Sequence, residues 1–257
     1  MKLARRYIEK PWGQTELPPQ FDAPPGKRIG EVWFTGGDDL PVLIKYLFTS
    51  ERLSVQVHPS DEQARRLGLP SGKSECWYIL DAEPDATIGL GLLHSISANE
   101  LRAAALDGSI EQLMEWRPVG RGDFLFVPPG TIHAIGGRIS LIEIQQNADV
   151  TYRLYDYGRP RELHVDDAVA VATREPYPSS LAQHLDAGHS RTLVDGPHFT
   201  LVLSSDDALM GRLRWIIPLE GEARSETDVG GAGECLLLGA EDRLTSTTGR
   251  LLIAASA

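Results

Sequence analysis

Four side chains in this sequence have the types and spacing to bind a metal ion. Gln56 and His58 lie two apart in LSVQVHP, where Val55 and Val57 alternate with Ser54, Gln56 and His58. A period of two is that of a half-buried strand, so Ser54, Gln56 and His58 share a face opposite the valines. Glu75 opens the strand-like run ECWYIL, and His133 sits in GDFLFVPPGTIHAI. Imidazole nitrogens with carboxylate and amide oxygens suit a divalent first-row metal, and such donors accept Zn, Fe, Mn, Co or Ni alike. Three or four of them leave room for water or substrate.

The elements that must position these residues are mostly short strands. EVWFT, PVLIKYLFT, LSVQVHP, ECWYILDA and ATIGLGLL read as strands, as do stretches within GDFLFVPPGTIHAI and RISLIEIQQNADVTYRLYDY. After residue 180, HFTLVLSS, LRWIIPL, GECLLLG and GRLLIAAS continue the pattern. SDEQARRLGL predicts a short helix capped by Ser60, with Asp61 and Glu62 in its first turn and Gly68 near its end. SANELRAAALDGSIEQLMEW predicts one or two helices capped by Ser97 and broken at Asp107-Gly108, and Leu163 to Thr173 a further short one. Residues 9–31, rich in Pro and Gly, are expected to wrap the surface without forming a stable element. Many closely spaced strands with few helices predict a barrel or sandwich. PYPSS, at 176–180, is a natural boundary.

Composition narrows the function. The chain has 257 residues and a net charge of −11, which argues against sequence-independent nucleic-acid binding while allowing a local basic pocket for a small anion. No apolar run is long enough to predict a membrane span, and the N-terminal residues lack the apolar stretch of a secretory signal. Cys76 and Cys235 are too few for a disulfide framework. The expectation is a cytoplasmic protein without nucleic-acid or membrane partners; the oligomeric state is open.

From Gly122 to His133 the sequence reads G-x5-P-x-G-x2-H, which resembles the second signature of the cupin superfamily. The first cupin signature is altered to Q-x-H with a distant glutamate. That alteration, with EKPWG at 9–13, GEVW at 30–33, LSVQVHPSDEQA at 53–64, GKSECWYILDA at 72–82, FVPPGTIHAI at 126–135 and EIQQNADVTYRLYDYGRPRELH at 143–164, resembles type I phosphomannose isomerase. The resemblance spans residues 9 to about 170 and weakens beyond Tyr177. It implies a mainly β fold: a cupin-type double-stranded β-helix (jelly-roll) barrel with a few helices over residues 1–175. A smaller, degenerate cupin-like β domain without metal would follow over 176–257.

The same resemblance implies one zinc ion per chain, held by Gln56, His58, Glu75 and His133. It also implies catalytic roles for Arg153 and Lys73, with Asp149, close to that arginine, as a substrate-binding candidate. The implied reaction interconverts mannose 6-phosphate and fructose 6-phosphate through a cis-enediolate, whose charge a metal and a permanent guanidinium would stabilise. Ser54 is a candidate hydroxyl donor to the sugar phosphate, with Arg159 and Lys45 as weaker candidates for the phosphate. The proton-transferring base stays open among a metal-bound water, Lys73, Asp149 and a histidine. His94, His164, His184, His189 and His198 have no partner motif and are expected to be surface or hydrogen-bonded residues. Two other functions remain in view: a non-catalytic sugar-phosphate-binding cupin, and a cupin enzyme of another kind, either an isomerase of a different sugar or an iron-dependent oxygenase.

Overall fold

A computed structural model describes residues 1–37, 40–186 and 190–257, so His189 lies outside the described residues. Two antiparallel sheets face each other around the candidate residues. The larger runs in the order Ala4–Gln14, Ile29–Thr35, Val42–Thr49, Ile139–Gln146, Glu75–Ala82, Asp123–Val127, Ala182–His184. The smaller runs Tyr152–Tyr155, Val55–Val57, His133–Ile135, Thr87–Leu92, Met114–Pro118. Between them lies a core of Leu47, Trp77, Ile79, Ile88, Leu90, Val127 and Leu141. This is the double-sheeted barrel expected of a cupin.

Both faces of the larger sheet are covered, which explains why its central strands are buried throughout. Ile44, Tyr46, Phe48, Cys76, Tyr78, Ile142 and Ile144 point away from the barrel into a second core. There they meet Leu201, Trp215, Ile217 and Leu252 from a further five-stranded sheet in the last third of the chain. The strand period then sends Lys45, Glu75, Trp77, Glu143 and Gln145 inward. Cross-strand register sets Glu143 opposite Lys45 on one side and Trp77 on the other, and Gln145 opposite Glu75. One end of the barrel interior is therefore polar; the other, at Leu47, Ile79 and Leu141, is apolar.

The smaller sheet is covered outside by helices. Val55 and Val57 pack against Leu101, Ala104, Ile110 and Ala168, so Ser54, Gln56 and His58 are left on the barrel side, as the alternation predicts. The helix Ala98–Asp107 carries a full capping box, in which Ser97 accepts from the Glu100 N–H and Glu100 accepts from the Ser97 N–H. It stops at Gly108, whose φ of 83° is left-handed. Ser97→Ala is expected to cost about 1 kcal/mol and lower the melting temperature by about 2–4 °C in a chain of this size, read by calorimetry.

Two sequence expectations need correction. Residues 9–14 are not irregular: they continue the edge strand Ala4–Gln14, and 29–31 begin its neighbour. Register shifts at Ile8/Glu9 and Glu9/Gln14 absorb the Pro-Trp-Gly segment, and an edge strand tolerates the missing N–H of Pro11. The helical stretch ends at Leu113, and Met114–Pro118 is a strand paired with Thr87–Leu92. Sheet pairing outweighs helix propensity at this edge.

Candidate metal centre and the cavity above it

His58, Glu75 and His133 converge at the polar end of the barrel, each with a potential ligand atom within 4.8 Å of the others. They are all but inaccessible, at 2%, 1% and 0% exposure. The elements explain the convergence. Gln56 pairs in register with His133 across the smaller sheet, while Glu75 starts a strand of the facing sheet that pairs with the central strand Ile139–Gln146. The Pro128–Thr131 corner turns the chain so that His133 enters the barrel, with the Gly130 N–H held by the His58 carbonyl at 2.8 Å.

Hydrogen bonding fixes the ring tautomers. His58 Nδ1–H donates to the Val150 carbonyl at 2.8 Å, and His133 Nδ1–H to the Thr131 carbonyl at 2.9 Å. Each imidazole then turns an Nε2 lone pair toward the centre, as metal-ligating histidines do. Burial, reinforced by the Lys73 ammonium and His133, holds His58 well below the ordinary histidine range. Burial alone accounts for most of the drop of His133 to about 4. Both rings are neutral at pH 7.

Glu75 faces those lone pairs. Its Oε2 is 3.6 Å from His58 Nε2, and its Oε1 is 3.4 Å from His133 Nε2. The Lys73 ammonium lies 2.9 Å from Oε2 as its ion-pair partner, and Oε1 has no hydrogen-bond partner. Burial pushes the carboxyl up to about 7, against the pull of Lys73. Between Glu75 and the His133 ring acceptor faces acceptor, while the Lys73 ammonium, 3.2 Å from His58 Nε2 and 2.9 Å from Glu75 Oε2, meets the other side. A cation among these donors would turn the acceptor–acceptor repulsion into ligation, so the donor set fits a divalent metal ion. Gln56 is beside it, its side-chain amide 3.2 Å from His133 Nε2. Rotating that amide by 180° presents Oε1 to the same centre, and the two orientations differ only by hydrogen-bond assignment.

A cavity of about 300 Å³ opens above the cluster, walled by Trp12, Ser54, Gln56, Lys73, Asp149 and Arg153. Its size is at the lower end of small-molecule sites. Burial works against the charge on Lys73, but Glu75 and Glu143 together outweigh it and hold the ammonium above the ordinary lysine value. Arg153 forms no ion pair among the described residues. Its guanidinium donates to the Glu162 carbonyl at 2.7 Å, and its buried Nε is unpartnered. Its backbone is gripped by His164 from both sides, the Arg153 N–H reaching His164 Nδ1 and the His164 N–H reaching the Arg153 carbonyl. Asp149 is exposed at the rim, and the Ser54 hydroxyl donates to Gln56 Oε1 at 3.2 Å.

The two weaker phosphate candidates part company. Lys45 reaches the cavity floor, buried between Glu143 and Gln145. Arg159 does not line the cavity; its guanidinium is committed to Asp156 and the Arg52 carbonyl. Sequence reasoning did not single out Glu143, Glu31, Lys10 or Arg161, all of which line the cavity. Lys45 and Lys73 pull the Glu143 carboxyl down to about 2 against the opposing effect of its burial, which is the largest single influence on it. Trp12 is buried but also forms part of the wall.

This barrel and donor set define a cupin with a candidate metal centre, and the comparisons with known proteins refine that class. No protein-family model matches the chain. It is 37% identical over 268 aligned positions to mannose-6-phosphate isomerase ManA of Bacillus subtilis, covering 85% of this chain and 84% of that one. It is 39% identical over 171 positions to mannose-6-phosphate isomerase of Streptococcus mutans, covering 63% and 53%. The structure superposes on the crystal structure of the mannose 6-phosphate isomerase from Bacillus subtilis with a TM-score of 0.82, at 28% identity and 98% coverage of both chains. The chain belongs to the type I phosphomannose isomerase (mannose-6-phosphate isomerase) family of cupins.

Proposed function

We propose that the protein is a metal-dependent aldose–ketose isomerase that interconverts mannose 6-phosphate and fructose 6-phosphate. The observation that carries this reading is the buried Glu75 carboxylate facing the inward-turned Nε2 lone pairs of His58 and His133, under a cavity walled by Lys73 and Arg153. In this reading Gln56, His58, Glu75 and His133 hold one Zn²⁺ ion, which when bound supplies Lewis-acid polarisation of the sugar oxygens.

The chain's own groups do the rest. Lys73, kept protonated by Glu75 and Glu143, is a donor to the ring oxygen during opening and a poor base at neutral pH. Arg153 brings an uncompensated guanidinium to the oxygens that gain charge as C2 loses its proton. Asp149, exposed at the cavity rim, takes the C2 proton and returns it to C1. Ser54 and the rim cations orient the substrate. Residues 1–175 form the body of the catalytic unit, to which Ala182–His184 adds the last strand of the larger sheet, and the rest of 176–257 forms a smaller β unit that braces the outer face of that sheet.

We assign the protein to the cytoplasm: both cysteines are free and buried, and no helix among the described residues is long and apolar enough to cross a membrane. The test is turnover. Purified protein with Zn²⁺ and mannose 6-phosphate is expected to form fructose 6-phosphate, to stop after chelation, and to resume when a divalent first-row metal is restored. Product formation that ignores chelation, or none with any such metal, overturns the proposal.

A further inference from the structure

Lys73 precedes its strand, which begins at Glu75, so sheet pairing does not hold the lysine's backbone. Three hydrogen bonds do. The Gly72 N–H donates to Asp61 Oδ1 at 2.8 Å, the Lys73 N–H to the Pro59 carbonyl at 3.0 Å, and the Ser74 N–H to Gln146 Oε1 at 2.8 Å. The two side chains are joined, since Gln146 Nε2 donates to the same Asp61 Oδ1 at 3.1 Å. The Gln146 N–H also closes onto the Ser74 carbonyl at 3.0 Å. Gly72 lies so close to the Pro59–Asp61 corner that an added Cβ would be 2.5 Å from the Pro59 carbonyl oxygen. The corner that follows His58 and the segment that carries Lys73 are thereby locked backbone to backbone.

We propose that Asp61 and Gln146 are positioning residues: a clasp that sets the Lys73 ammonium over the cavity, while Glu75 is held independently by its strand. This rests on the isomerase reading. Asp61 is suited to the role because a carboxylate accepts two N–H donors at once, more strongly than a neutral acceptor. Its helical position, one residue after the Ser60 cap, fixes the carboxylate against the corner.

The experiment is a double-mutant cycle with an independent structural readout. Asp61→Ala is expected to lower kcat by about tenfold or more, leave KM within about threefold, and leave bound metal per chain unchanged. In a Lys73→Ala background the same change is expected to lower kcat by less than about threefold, because the residue it positions is gone. Amide hydrogen exchange over residues 70–75 is expected to speed by about tenfold or more in Asp61→Ala. Equal kcat losses in both backgrounds, or unchanged exchange, overturn the clasp. Should Asp61→Ala not fold, Gln146→Leu frees the Ser74 N–H and carries the same expectations. If the parent does not interconvert the sugar phosphates, the isomerase reading has failed, and the exchange measurement still decides the clasp.

Discussion

His133→Ala is expected to abolish metal retention and lower kcat by about 10³-fold, at least as much as any change outside the donor set. The imidazole is wholly buried, its Nδ1–H is committed to the Thr131 carbonyl, and its Nε2 has no other task than to face Glu75 and Gln56. Removing it leaves two or three donors around the centre and ends the opposition of lone pairs that favours a cation there. Loss of one preorganised group that stabilises developing charge typically costs about 10²–10³ in rate, and loss of the ion costs every interaction made through it. The measurement is metal content by mass spectrometry beside steady-state isomerisation. The control is His94→Ala, an exposed histidine far from any ligating motif, which is expected to retain both. If His133→Ala keeps one metal per chain and parental kcat, the proposed ligand set is wrong.

Arg153→Ala is expected to lower kcat by about 10²–10³-fold, roughly 3–4 kcal/mol of transition-state stabilisation, with a smaller change in KM. Arg159 and Arg161 share Asp156, whereas Arg153 has only a backbone carbonyl and an unpartnered Nε. Burial and the neighbouring Arg161 and Arg159 lower its pKa, so the guanidinium gains most from an anion that forms beside it. Arg153→Lys keeps the charge but not the planar fork, and is expected to recover only part of the loss. A kcat within about threefold of the parent in Arg153→Ala would remove this residue from the mechanism, whatever its effect on stability.

The parts of the site legible in the sequence were those whose partners lie on the same strand or in a motif of their own. The alternation in LSVQVHP gave the direction of Gln56 and His58 without any tertiary knowledge, because a strand's period of two forces it. Glu143 had no such signal. It stands in ISLIEIQQ, an apolar run buried on both faces, and its partner Lys45 is separated from it by 98 positions. Only strand register brings the two together. The Asp61–Gln146 contact, 85 positions apart, was hidden for the same reason, and Asp61 read simply as a helix-start acid. The KPWG segment failed differently: Pro and Gly usually mark irregular chain, but at a sheet edge register shifts let a strand pass through them.

The most direct test of the central claim is anomalous diffraction at the zinc edge from crystals of the Zn²⁺-loaded protein. One strong peak per chain is expected, about 2.0–2.2 Å from His58 Nε2, His133 Nε2, a Glu75 carboxylate oxygen and the Gln56 amide oxygen. A peak ligated by other side chains, or no peak where Glu75 faces the two imidazoles, would contradict it.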